Sequence, residues 1–130
     1  MTQEDKQLLL KDLCARVPYN TRMKWLEFET KPEPELYLRS ILNDTIQVAI
    51  KSGGIMCYDV SGFLPYLRPM SSMTEEEIDE FTQFDVYDES DYIMPNYKVV
   101  DWLNEHHFDY RGLIEKGLAI EVTKENNPYE

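Results

Sequence analysis

Thr45-Ile46-Gln47-Val48-Ala49-Ile50-Lys51 alternates without a break, with Ile46, Val48 and Ile50 on one face and Thr45, Gln47, Ala49 and Lys51 on the other. A period of two marks a strand with one buried face. Ser52-Gly53-Gly54 comes next and suits a tight hairpin, so Ile55 to Tyr58 is expected to return as a short neighbouring strand. Upstream, Asn43-Asp44 suits another tight turn, which makes Leu36 to Leu42 the strand before it. Arg22 to Glu29 carries Met23, Trp25, Leu26 and Phe28 and is rich in strand formers. Lys31-Pro32-Glu33-Pro34 joins it to Leu36 as a turn or extended loop. Asp59 to Leu64 reads as a brief turn of 3₁₀ type.

Residues 22–69 therefore hold about four short antiparallel strands. Strands this short must close or be covered. A small SH3-like or OB-like barrel is the economical expectation, and a flat sheet covered by helices is the alternative. The fold class is α+β, in a chain whose 130 residues suit one domain. Its parts are a helix over 1–17, the barrel or sheet over 22–69, a helical region with an acidic loop over 74–122, and a frayed tail over 123–130.

The helices are legible from their ends. Thr2 caps the first, with Asp5 three residues on. Leu9, Leu13 and Val17, joined by Leu10 and Cys14, form its apolar face until Pro18 stops it. Thr74 and Glu77 form a second capping box, Met73 and Ile78 sit at hydrophobic-staple positions, and Ile78 and Phe81 give the helix a short apolar face. Gln83 to Met94 reads as a loop with one more strand. Pro95-Asn96 opens a helix through Val99, Val100, Leu103 and His107. Asp109 caps a short final helix that Gly117 ends, with Leu118 touching Leu113, and Leu118 to Val122 adds a last strand.

The chain has 13 basic and 25 acidic residues and a net charge of −12. No Lys or Arg lies between Arg68 and Lys98, an interval holding Glu75, Glu76, Glu77, Asp79, Glu80, Asp85, Asp88, Glu89 and Asp91. This balance argues against direct binding of nucleic-acid backbone or anionic membrane, which needs clustered cations. Glu75, Glu76 and Glu77 occupy a helix's first turn, where negative charge favours folding. Asp79, Glu80, Asp85, Asp88, Glu89 and Asp91 remain as a candidate acidic surface. Cys14 and Cys57 are read as buried, reduced thiols, and with an acidic N-terminus and no long apolar run the expected location is the cytoplasm.

Three segments carry a family resemblance: Leu8-Leu9-Leu10-Lys11-Asp12-Leu13-Cys14-Ala15-Arg16, the run from Pro65-Tyr66-Leu67-Arg68-Pro69 through Glu77, and the run from Asp101-Trp102-Leu103 through Leu118. They resemble a family of short uncharacterised proteins from gut Bacteroides-type bacteria and their phages or mobile elements. The resemblance implies a cytoplasmic, mobile-element setting and transfers no catalytic residue, cofactor or substrate.

Chemical motifs are weak. His106 and His107 are adjacent, and on a helix they point about 100° apart, which does not suit one metal. His107 is expected to pack beside Leu103. No Gly-x-Ser-x-Gly elbow is present, and Gly53-Gly54 is too short to cradle phosphate. Asp85 to Asp91 lacks the central glycine of a calcium loop. The nine tyrosines lack the basic groove that would make them a single-strand platform. Pro65 to Pro69 reads as either a rigid surface strip or a stiff link. No catalytic residue, metal or cofactor is therefore assigned, and the expected function is a non-enzymatic module binding a protein partner through Trp25, Tyr37, Tyr58, Tyr66 and Arg68. The alternative is an acidic nucleic-acid mimic that inhibits a DNA-handling or defence protein.

Overall fold

In the computed structural model, residues 1–27, 33–84 and 96–129 are described. Helix α1 (Gln3–Arg16) begins at the expected box: the Asp5 N–H donates to Thr2 Oγ1 (3.0 Å) and the Thr2 N–H to the Asp5 carboxylate (3.3 Å). Strands β1 (Arg22–Trp25), β2 (Leu36–Leu42), β3 (Thr45–Ile50), β4 (Ile55–Asp59) and β5 (Phe63–Pro69) come next, with a 3₁₀ turn at Val60–Gly62 between the last two. Helices α2 (Glu75–Thr82) and α3 (Asn96–Glu105) precede two short strands, β6 (Phe108–Asp109) and β7 (Ile120–Glu121). The expected loop and strand over 85–94 lie outside the described residues, as does the part of the first strand at 28–29.

The hairpins form as their turn residues dictate. Asn43 takes φ 60°, and Gly53 and Gly54 take φ 127° and 99°, a region that suits glycine and asparagine. The sheet is mixed, in the order β4-β3-β2-β1-β5-β6, with β7 also on β5. Pairing from β4 to β5 is antiparallel, whereas β6 and β7 run parallel to β5.

The sheet does not close into a barrel, because β5 pairs with β1, β6 and β7, and among the described residues β4 pairs with β3 alone. The stretch Pro65 to Pro69, expected as a link or strip, is the C-terminal part of β5. Two prolines argue against a central strand because each lacks a donor. The register removes the objection for Pro65. Leu26 N–H bonds Gly62 C=O (2.9 Å), so even-numbered β5 residues exchange bonds with β1, and Pro65 opposite Met23 falls in a non-bonded pair.

The main core lies between the sheet and α1, built on Leu9, Leu13, Met23, Leu36, Ile46, Val48, Phe63 and Leu67. The α1 face is centred on Leu9, Asp12, Leu13 and Arg16, an i, i+3, i+4, i+7 stripe. Cys14 falls off that stripe and is exposed, and Cys57 is exposed on β4, so neither thiol is the buried one expected. Asp12 and Arg16 are fully buried instead. Arg16 donates to Asp12 (Nε to Oδ2 2.7 Å, Nη2 to Oδ1 3.2 Å) and from Nη2 to the Phe108 carbonyl (2.7 Å), and Arg111 Nε lies 3.2 Å from Asp12. Both guanidinium groups lie 5.2 Å from the Tyr110 ring.

The C-terminal third departs most from expectation. Asp109 belongs to β6 and caps a turn rather than a helix, accepting the N–H groups of Leu113 (2.9 Å) and Ile114 (3.0 Å). Gly117 at φ 75° ends that turn as expected, with Leu118 N–H bonding Leu113 C=O (2.9 Å) and Gly117 N–H bonding Ile114 C=O (3.1 Å). The tail expected to fray is docked. Extending the β1–β5 register would place Arg22 opposite Tyr66. The Tyr129 hydroxyl stands between them, accepting from Arg22 N–H (3.0 Å) and donating to Tyr66 C=O (2.7 Å). A side chain thus replaces one rung of the ladder.

The buried pair and the docked tail can each be weighed by substitution. Asp12→Ala leaves the buried Arg16 and the partly exposed Arg111 without their shared carboxylate and should lower unfolding stability by about 3–5 kcal/mol, the range for breaking a buried pair. Tyr129→Phe leaves a backbone N–H and C=O unpaired and should lower it by about 1–3 kcal/mol. Urea denaturation checks both, and an unchanged midpoint for Tyr129→Phe would show that the tail is not docked.

Candidate functional site

The five expected partner-binding residues do not form one surface. Tyr37 lies on β2, its hydroxyl donating to Glu35 (2.7 Å) and its ring 5.3 Å from the Arg22 guanidinium. The Glu35 carboxylate, with some burial, raises its pKa. Tyr66 is 8% exposed, and burial first, then Glu33, raises its pKa. Arg68 is spent internally: it chelates Glu77 (2.8 and 2.6 Å), reaches the Ser72 carbonyl (3.3 Å), and lies 4.2 Å from the Phe108 ring. Glu77 also accepts Thr74 N–H in the capping box (2.9 Å). The guanidinium bonds, then that N–H, push its pKa down to about 2.

Trp25 and Tyr58 do come together. Their rings stack at 5.9 Å and 21°, and Tyr58 leads inward to the buried Phe63 at 6.3 Å. Strands β1 and β4 are three spacings apart, about 14 Å in a flat sheet. Contact between their rings therefore requires the sheet to curl. The curl leaves Tyr58 51% exposed at the rim of the core, with Leu26 (41%) next after Trp25.

The rim borders a strand edge that has no partner strand among the described residues. Ile50 N–H bonds Gly54 C=O and Val60 N–H bonds Asp44 C=O, so even-numbered β4 residues face β3. The N–H and C=O groups of Ile55, Cys57 and Asp59 point the other way. Among the described residues the Ile55 and Cys57 groups meet no partner strand, while the Asp59 C=O starts the 3₁₀ turn at Val60–Gly62. At the end of this edge the Asp59 carboxylate accepts from Ser61 and sits 3.1 Å from Lys6; the Ser61 bonds chiefly lower its pKa.

Of the acidic candidates, Asp79 and Glu80 are exposed on α2, and Glu80 accepts the Trp102 indole N–H (2.9 Å). Asp85, Asp88, Glu89 and Asp91 lie outside the described residues, as does the weighed calcium loop. Of the short apolar face expected on α2, Ile78 is 48% exposed, while Phe81 packs on Trp102 at 5.8 Å.

Both histidines are packed. His106 stacks on Trp102 (4.3 Å), with Nδ1 2.9 Å from the Trp102 carbonyl. His107 lies beyond the end of α3 at φ 64° and stacks on Tyr129 at 3.7 Å and 8°. Burial, then Arg16, His106 and Arg68, lowers its pKa to about 4. The two border a groove of about 860 Å³ whose other walls include Pro69, Thr123 and Asn127. Among the described residues no three His, Cys, Asp or Glu side chains converge as a metal site, and no helix is long and apolar enough to cross a membrane.

Sequence reasoning missed the β4 edge and the Tyr129–His107 stack. The edge had a signal, since Ile55 to Tyr58 contains neither a charge nor a proline. The stack had none, because it joins residues distant along the chain. No family model, no curated protein and no solved structure matches the chain.

The shifted groups predict acid lability. His107 has its folded pKa depressed from 6.5 to about 4, so the unfolded chain takes up its proton first. Stability is full above about pH 6.5 and falls as pH drops toward 4, by about 2 kcal/mol after discounting partial exposure. Glu77, depressed from 4.5 to about 2, adds a loss between those values. Urea midpoints measured across pH should decline in both windows, and His107→Asn, which tolerates positive φ, should flatten the upper one.

Proposed function

We propose that the protein is a non-enzymatic interaction module that binds a protein partner where Trp25 and Tyr58 border the β4 edge. The observation that carries this is the exposure of about half of Tyr58 while its ring is held by Trp25. Large aromatics held rigid at a surface are typical binding hot spots, since little side-chain freedom remains to be lost. The packing of His106 and His107 supports reading them as structural. An SH3-like reading of β1 to β5 is supported by the order β4-β3-β2-β1-β5, its antiparallel pairing and the 3₁₀ turn between β4 and β5. The proposed setting is cytoplasmic, within the mobile-element context that the sequence segments suggest.

A second reading, an acidic decoy for the basic groove of a DNA-handling or defence protein, is favoured by Glu75, Glu76 and Asp79, all exposed on α2.

Affinity capture from bacterial lysate at low and high salt separates the two. The module reading expects a partner that survives salt, is lost on Tyr58→Ala and is kept on Tyr37→Ala, with both variants folded. Capture unaffected by Tyr58→Ala would overturn it. The decoy reading expects capture that collapses with salt and on Glu75→Gln/Glu76→Gln/Asp79→Asn.

A further inference from the structure

We infer that the partner docks by adding a β-strand to the outer edge of β4, through an extended segment with alternate apolar residues and lysine or arginine at its end. This rests on the interaction-module reading above and specifies its chemistry. The outward N–H and C=O groups of Ile55 and Cys57, followed by the outward N–H of Asp59, form a row with the spacing that an added strand needs. Exposed edges are normally protected by charge, proline or a covering element. Ile55-Met56-Cys57-Tyr58 has neither charge nor proline in a chain that is 29% charged, and its exposed residues include Ile55 (49%) and Tyr58 (51%). Register places Met56 and Tyr58 on the face of Val48 and Ile46, which are buried. An incoming strand would therefore extend that apolar face on alternate residues.

Charge selects among occupants. The Asp59 end of the edge carries Asp59 and, next to Val60 through the backbone, Asp44, with Lys6 on Asp59; Lys6 belongs to the stretch of α1 that also carries Glu4 and Asp5. The whole chain carries −12. A basic segment is attracted by this field. A second copy is not: antiparallel self-pairing centred on Cys57 would set Asp59 against Ile55, and both chains carry the same charge.

The test uses the full chain with Cys14→Ser, so that Cys57 is the sole thiol. The probes are two ten-residue peptides of alternating valine and threonine, one flanked by lysines and one by glutamates. The lysine peptide should slow alkylation of Cys57 by about tenfold at saturation and shift the amide resonances of Ile55, Cys57 and Asp59 more than those of Met56 and Tyr58, as pairing on the outer edge requires. The glutamate peptide should do neither. Cys57→Pro deletes one outward donor and leaves the β3 ladder intact. It should remain folded by circular dichroism and lose the lysine-peptide shifts, whereas Cys57→Ser should keep them. No protection by the lysine peptide, equal protection by both peptides, or retained binding by folded Cys57→Pro would overturn strand addition. So would a dimer in sedimentation that Cys57→Pro dissociates, which would assign the edge to a second copy. A captured partner lost on Tyr58→Ala but kept on Cys57→Pro would leave the module reading standing and refute this one.

Discussion

A guanidinium group with no surface in water joins the two ends of this fold. Arg16 reaches from α1 to the Phe108 carbonyl of β6 while Asp12, one helical turn earlier, neutralises it and also faces Arg111. Removing a charge from water is expensive, and a buried pair repays that only when its remaining hydrogen-bonding capacity is used. Here the carboxylate and a carbonyl distant in sequence take Nε and Nη2, while Nη1 has no hydrogen-bond partner among the described residues. The pair consequently acts as a position marker: α1 lies on the core only in the register that places Arg16 beside β6. Tyr110, 5.2 Å from both cations, adds a ring face that attracts them.

That placement leads to the occupation of β5. The C-terminal third returns β6 and β7 to this strand, and Tyr129 inserts its hydroxyl where β1 and β5 would otherwise share a rung. With β5 so occupied, the curled sheet stops short of closure, and among the described residues β4 pairs with β3 alone. The same curl lifts Tyr58 onto Trp25 at the rim. The lack of closure thus goes with the return of the C-terminal third to β5, and the ring stack with the curl of the sheet. Arg68 serves the same end, holding the start of α2 and the Phe108 ring against β5.

Local features were legible where the physics is local. The Thr2–Asp5 and Thr74–Glu77 capping boxes involve residues three apart, and both form. The β2–β3–β4 hairpins announce themselves by period-two alternation and by Asn43, Gly53 and Gly54 at positive φ. Illegible features depended on partners far along the chain. Pro65 looked incompatible with a strand because only the register places its missing donor in a non-bonded pair. Arg68 looked like a surface anchor because Glu77 and Phe108 are brought to it by folding. Cys14 looked apolar and inward because α1 turns its Asp12–Arg16 stripe, not the Cys14 side, to the core. Of the site, Trp25 and Tyr58 were identified as residues, but their juxtaposition across three strand spacings was not.

The sequence by itself determined the α+β class, the first helix, the central hairpins and a net acidity that disfavours phosphate partners. Each arises from neighbours a few residues apart or from a sum over composition. Only the tertiary structure decided that the sheet stays open, that the tail is docked and that, among the described residues, β4 pairs on one edge alone. Those outcomes depend on which strand wins the hydrogen-bonding edges of β5, a competition between segments far apart along the chain for one set of backbone groups. No local pattern records its result, because a strand's sequence specifies which face it buries far better than which neighbour it pairs with.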